Sequence, residues 1–122
     1  MFSDIVLDHF QNPRNAGELV DATATVEVSN PVCGDVLRLA VIVVGGVVRE
    51  ARFLCRGCTA SIASGSLLTE MMKGKTAKEL KELTAEQIAM RLGGLPPASV
   101  HAAHLAQDGA RTVAAQVSTV RE

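Results

Sequence analysis

The sequence predicts an α+β fold in which helices cover one face of a three-stranded antiparallel sheet. Residues 23–54 contain three segments with the two-residue alternation of apolar and polar side chains that is typical of strands. Beyond Cys58 the apolar residues recur at helical spacing instead. Strands followed by helices are typical of a sheet with helices on one face. We expect one domain over residues 1–122, a length that can bury a core.

The first half of the sequence contains a short N-terminal helix followed by the three strands. The helix is predicted over residues 3–11, with Ser3 as its N-cap, an inward face of Ile5, Val6, His9 and Phe10, and NPRN as its stop. Three strands follow, TATVEVS (23–29), DVLRLAVIVV (35–44) and VVREARFL (47–54). Gly45 and Gly46 join the last two strands as a hairpin.

Four helices are predicted in the second half. Small and apolar residues at helical spacing predict one over residues 59–72. Thr76 and Thr84 each open a short helix as N-caps. After Pro96 and Pro97, a long C-terminal helix is predicted from near Ser99 to about Val117.

The hairpin register decides which side chains share a face of the sheet. A two-residue loop would place Leu39 beside Arg52 and bury a charge. A three-residue loop over residues 44–46 pairs Leu39 with Ala51 instead. We therefore predict the three-residue loop.

That register would gather the cysteines at one end of the sheet. It sets Asp35 opposite Cys55 and Val32 opposite Cys58, on strands about 5 Å apart. Cys33, between Val32 and Asp35, would then lie in the same place. The residues alone therefore predict three thiols and a carboxylate in one cluster.

Composition argues against nucleic-acid and membrane partners. The chain has no Trp or Tyr, three Phe and a formal net charge of −1, so it lacks stacking platforms and a basic surface. Its longest apolar run, LAVIVVGGVV, is too short to span a bilayer. The first ten residues contain two acids and no Lys or Arg, unlike a secretory signal. We expect a soluble, cytoplasmic protein whose three cysteines are free thiols or ligands.

The candidate site residues differ in how strongly their context suggests chemistry. Cys58 stands at a helix start, where free N–H groups and the helix dipole favour a thiolate. Cys33 and Asp35 flank a glycine in a turn, where Asp35 could equally serve only as a cap. Cys55 ends a strand, where cysteine is often an inert packed residue.

Two histidines lie on the predicted C-terminal helix. His101 comes one turn before the apolar Leu105, so we expect it to face inward. His104 is expected to face solvent, where it could pair with Asp108, and is the weaker candidate ligand. Three thiolates with one histidine or aspartate would suit zinc, and a thiolate at Cys58 could also accept a persulfide sulfur.

The sequence resembles the U-type iron–sulfur cluster assembly scaffolds, the family of IscU, SufU and the N-terminal domain of NifU. Four segments in the same order support the resemblance: LDHFQNPRN, NPVCGD, GCTASIASGSLLTEMMKGKT and LPP followed by His101. The resemblance implies a cytoplasmic carrier rather than a catalyst. Such a carrier receives sulfur from a pyridoxal-phosphate-dependent cysteine desulfurase, takes up iron, and passes a transient [2Fe–2S] cluster to apo-proteins. Carried over by position, the implied ligands are Cys33, Asp35, Cys58 and His101.

The sequence departs from the family pattern at two places. Ala102 stands where the family usually has a cysteine, and Cys55 stands where it usually has none. We hypothesise that Cys55 replaces the missing thiol. The family's LPPVK stretch is LPPAS here, over residues 95–99, which weakens the expectation of an Hsp70-type chaperone partner.

Overall fold

The sheet has three antiparallel strands, which lie side by side in chain order. They are Ala24–Ser29 (β1), Val36–Val44 (β2) and Val47–Arg56 (β3), in a computed structural model that describes residues 1–118. Leu37, Leu39 and Val41 of the central strand are buried on one face, as the alternation predicts. This face of the sheet forms one side of the core.

Within residues 1–118, five helices complete the fold, and each of them was predicted. They are Asp4–Gln11 (α1), Thr59–Met72 (α2), Ala77–Lys81 (α3), Ala85–Arg91 (α4) and Val100–Val117 (α5), with a 3-10 turn at Pro97–Ser99 before the last. Thr76 and Thr84 form the predicted N-terminal capping boxes of α3 and α4. The α+β prediction is therefore confirmed. None of these helices is long and apolar enough to cross a membrane.

The helices pack on one face of the sheet. α2 lies against β3, α5 lies against β1 and β2, and α1 packs on α2. α2 is consequently buried around most of its circumference, and even Ser61, Ser64 and Thr69 are inaccessible to solvent. Because α2 begins directly after β3, its N-terminus is fixed at the end of the sheet.

The predicted hairpin register was wrong by two residues. Leu37 pairs with Cys55 and Leu39 with Phe53, so Asp35 does not lie opposite Cys55, nor Val32 opposite Cys58. The turn contains only Gly45 and Gly46, both at positive φ, which a two-residue hairpin turn requires.

A β-bulge explains the difference. The register shifts between Ile42 and Val43, where β3 contains Arg49 as an extra residue. Without the bulge, a two-residue loop would place the polar side chains of β3 on the buried face. The extra residue returns them to the opposite face, so Arg52 stays off the buried face. A shift of two residues leaves each side chain on its predicted face but moves its partner along the strand.

The N-terminal helix presents a narrower face than predicted. Val6 and His9 are buried against α2, but Ile5 and Phe10 are 44% and 39% exposed. A short helix lying on one neighbour buries a single stripe, which here passes through Val6 and His9.

His9 is held by contacts that a neutral ring can satisfy. The Ser66 hydroxyl lies 2.8 Å from His9 Nδ1 and also accepts the backbone N–H of Arg14 at 2.8 Å. We assign the Ser66 hydroxyl as donor to Nδ1, which leaves the Nε2 proton directed towards Glu70, 3.7 Å away. Burial and the nearby Arg14 lower the pKa of His9, against the opposing effects of Glu70 and Asp8.

We expect this histidine to destabilise the fold at acidic pH. Because its folded-state pKa lies below its ordinary value of about 6.5, the stabilisation is fully present above that pH and is lost as the pH falls below it. Chemical denaturation between about pH 7.5 and 5 should show a smaller pH slope in His9→Gln than in the wild type. His104→Gln, on an exposed position, should keep the wild-type slope, and a His9→Gln slope equal to the wild type's would contradict the expectation.

Candidate metal centre

The first part of the site is the loop between β1 and β2. The Asn30 side chain accepts the N–H of Val32 at 2.9 Å, and the backbone of Asn30 bonds both Gly34 and Asp35. Gly34 has φ +76, a conformation that favours glycine. This tight turn leaves Cys33 exposed and turns Asp35 inward, where it is 6% exposed.

The second part is the N-terminus of α2. Cys58 occupies the N-cap position in an extended conformation, and its side chain makes no capping hydrogen bond. Its Sγ lies 3.6 Å from Asp35 Oδ2 and 3.3 Å from Ser61 Oγ. The thiol is thus within reach of both the Asp35 carboxylate and the Ser61 hydroxyl, and it does not cap a backbone N–H of the helix.

The third part is the first turn of α5. His101 Nε2 lies 3.5 Å from Asp35 Oδ2 and 3.8 Å from Cys58 Sγ. The His101 side chain is 30% exposed, so it remains partly accessible to solvent. The inward orientation predicted for His101 is observed.

These elements bring ligand atoms together at one end of the sheet. One atom each from Cys33, Asp35 and His101 lie within 4.8 Å of one another, and Cys58 Sγ contacts two of the three. The set contains soft sulfur, borderline imidazole nitrogen and hard carboxylate oxygen, so it suits zinc or iron. Of the predicted cluster, Cys33, Asp35 and Cys58 do come together here. Cys55 is not among these atoms, and the register that predicted the cluster is not observed.

Asp35 is the centre of the cluster. Burial raises the pKa of its carboxyl, but hydrogen bonds from Ser61, Cys58 and Cys33 and the nearby His101 outweigh that effect. The pKa therefore lies below the ordinary value for aspartate. A carboxylate held ionised in a buried position is a ready ligand for a cation.

Two contributors were missed or misinterpreted at the sequence level. Ser61 is 2% exposed and donates a hydrogen bond to Asp35 Oδ2. Its signal is its position three residues after Cys58, which places both on one helix face. Gly57 also contributes, because it makes room for the Asp35 carboxylate, whose Cγ would lie 2.8 Å from a Cβ atom at position 57.

Cys55 differs from the other two thiols. It lies in β3, where it pairs with Leu37 of β2, and it is partly buried against the hydrophobic core. Burial, together with the nearby Asp35 and Cys58, raises the pKa of its thiol to about 12. The environment therefore favours the protonated form, which does not bind metal.

His104 lies one turn further along α5 and is exposed, as predicted. Within residues 1–118 no ion pair joins it to Asp108, whose carbonyl accepts the Thr112 hydroxyl. Of the two histidines, it is His101 that contacts Asp35 within residues 1–118.

The fold and these side chains define a small domain that presents sulfur, nitrogen and oxygen ligands at the end of a sheet. The family model described as "NifU-like N terminal domain" matches residues 1–120. The chain belongs to this family.

Relatives in sequence are named as scaffold proteins. "Iron-sulfur cluster assembly scaffold protein IscU" of Azotobacter vinelandii is 46% identical over 112 residues, which cover 88% of this chain and 86% of that protein. The protein of the same name from Escherichia coli is 38% identical over 125 residues, covering 99% and 97%. "Iron-sulfur cluster assembly scaffold protein IscU 1" of Archaeoglobus fulgidus is 45% identical over 111 residues, covering 91% and 72%.

Solved structures share the fold. A nitrogen-fixing NifU-like protein (N-terminal) from Brucella abortus superimposes with a TM-score of 0.63 at 22% identity, over 96% of this chain and 83% of that one. A SUF-system scaffold-like protein from Fervidobacterium islandicum gives 0.63 at 23% identity, over 95% and 86%. Both similarities confirm the three-stranded sheet and its helices.

Proposed function

We propose that this protein is a scaffold that assembles a transient iron–sulfur cluster and passes it to apo-proteins. The observation that supports it most is the convergence of Cys33, Asp35, Cys58 and His101 at one end of the sheet. Membership of the NifU-like family and the names of the relatives support the same role. The protein acts on this view as a carrier rather than a catalyst.

The ligand set suits a cargo that must also be released. Cysteine thiolates bind iron strongly and form the usual ligands of clusters, whereas carboxylate and imidazole ligands bind iron less tightly than thiolates. Cys33 and Cys58 are exposed, so a partner's thiol can reach the cargo. Asp35 and His101 complete the coordination without adding a third thiolate.

The partners follow from the same role. Sulfur would come from a cysteine desulfurase, and the cluster would pass to apo iron–sulfur proteins in the cytoplasm. We assign sulfur acceptance to Cys58, because Ala102 cannot provide it and Cys58 is exposed at a helix N-terminus. Its thiolate would attack the terminal sulfur of the desulfurase persulfide and displace that enzyme's cysteine thiolate.

The test is anaerobic reconstitution with iron and sulfide. We expect visible charge-transfer absorption with iron and labile sulfide in equal amounts, and loss of most of both in Cys33→Ala and Cys58→Ala. His104→Ala, exposed on the same helix as His101, is the matched control and should retain the cluster. A colourless protein that binds zinc tightly and retains no sulfide would favour a zinc-binding domain instead.

Cys55→Ala tests the replacement hypothesis separately. If Cys55 is not a ligand, the variant should hold as much iron and sulfide as the wild type, because Cys55 packs in the core with a protonated thiol. A loss as large as in Cys58→Ala, with the thermal unfolding midpoint unchanged, would make Cys55 the ligand that replaces the missing cysteine.

A further inference from the structure

Ser61 contacts two of the proposed ligands at once. Its hydroxyl donates to Asp35 Oδ2, and its Oγ lies 3.3 Å from Cys58 Sγ. Ser61 is 2% exposed in the first turn of α2, so these contacts do not exchange with bulk water. We propose that Ser61 is the positioning residue of this site, which holds the carboxylate while the site is empty and stabilises the Cys58 thiolate when it is loaded.

The number of available protons determines which of these contacts Ser61 can make. A serine hydroxyl has one proton to donate and can accept others. In the described geometry that proton goes to Asp35, and the Cys58 thiol is close enough to Ser61 and Asp35 to donate to either. The Asp35 side chain is thereby held in one orientation before any cation arrives.

Binding of a cation changes which ligand needs the hydrogen bond from the Ser61 hydroxyl. Cys58 gives up its own proton when it binds a metal, and the carboxylate directs its charge to the cation. A rotation of the Ser61 hydroxyl about its C–O bond then lets it donate to the Cys58 sulfur, 3.3 Å away. Hydrogen bonds to ligating sulfur tune the electronic properties of metal and cluster sites.

The chain offers a matched control on the same helix. Ser64, one turn further along α2, is 1% exposed, and its hydroxyl has no hydrogen-bond partner among residues 1–118. Ser61→Ala and Ser64→Ala therefore remove the same atom from similarly buried positions. Only Ser61→Ala removes contacts with Asp35 and Cys58.

The experiment is titration of the apo protein with Co²⁺, followed by absorption spectroscopy. We expect Ser61→Ala to bind Co²⁺ about 10- to 100-fold more weakly than the wild type, the usual effect of removing a residue that orients ligands. The thiolate-to-cobalt charge-transfer band should move to longer wavelength, because a sulfur without its hydrogen bond gives up electron density more easily. Ser64→Ala should match the wild type in both respects, and equal results for the two variants would overturn the proposal.

A double-mutant cycle identifies the ligand through which Ser61 acts on affinity. In an Asp35→Ala background, Ser61→Ala should lose much less Co²⁺ affinity than in the wild type, because its acceptor is gone. An equal loss in both backgrounds, with unchanged band positions, would overturn the positioning role.

This inference rests on the proposed function, but the two can fail separately. The Co²⁺ titration reads the ligand set and needs neither sulfide nor a partner. If Ser61→Ala weakens Co²⁺ binding as expected but the wild type assembles no cluster, only the scaffold role is contradicted. Protein that assembles a cluster while Ser61→Ala behaves like Ser64→Ala would contradict the positioning role alone.

Discussion

Gly57→Ala should disable the metal site while leaving the fold intact. A Cβ atom at position 57 would lie 2.8 Å from Asp35 Cγ and 3.0 and 3.1 Å from its carboxylate oxygens. Asp35 is 6% exposed and bonded to Ser61, so it can yield only by leaving its position in the cluster. We expect Co²⁺ or iron affinity to fall by about tenfold or more, and the displaced hydrogen bonds to cost about 1–3 kcal/mol of stability.

The control removes the atoms with which the new methyl group collides. In an Asp35→Ala background no carboxylate remains near position 57, so adding Gly57→Ala should change neither stability nor residual metal affinity. Gly57 does not require the positive φ that favours glycine, so its backbone accepts alanine. If Gly57→Ala lowers stability and metal affinity equally with and without Asp35, the effect comes from the backbone and not from a collision with the carboxylate.

Sequence patterns predicted the elements well because each element has a local cause. Thr76 and Thr84 begin their helices through capping boxes, whose contacts span a few residues. Gly45 and Gly46 mark the position of the hairpin, although its loop has two residues and not the predicted three. The face assignments followed from alternation and were confirmed at Leu39 and Phe53. These features require no knowledge of distant parts of the chain.

The register was not predictable in the same way. The bulge at Arg49 is favoured by the competition between a two-residue turn and the need to keep Arg52 off the buried face. That conflict is visible in the sequence, but a longer loop would resolve it as well as a bulge does. Cys33, Asp35 and Cys58 still come together because they lie outside the paired strands, at one end of the sheet, whereas Cys55 within β3 packs against the core.

The role of Ser61 was missed for a related reason. Its spacing from Cys58 places both residues on one helix face, but only the docking of α2 against the end of the sheet brings Asp35 beside them. The site thus depends on how closely the helices approach the sheet. For His101 that approach is set by α5.

Leu39→Ala should produce the largest loss of stability among these variants. Leu39 is fully buried on the central strand, and removing its side chain from a packed core costs about 2–5 kcal/mol. Its Cδ1 atom faces α5, 2.7 Å from the place that a Cβ atom on Gly109 would occupy. Urea denaturation should show the loss as a lower midpoint with an unchanged slope.

The effect of Gly109→Ala on stability should have opposite signs in the wild type and in Leu39→Ala. In the wild type the added methyl group collides with Leu39, and overpacking of about 1–3 kcal/mol outweighs the gain of about 1 kcal/mol in helix propensity. In Leu39→Ala the same methyl group fills part of the cavity, so Gly109→Ala should stabilise that variant. Equal effects in both backgrounds would show that Leu39 does not limit the approach of α5.

Because His101 lies eight residues earlier on the same helix, Gly109→Ala alone should also weaken Co²⁺ binding. The double variant, Leu39→Ala with Gly109→Ala, should recover part of the lost Co²⁺ affinity.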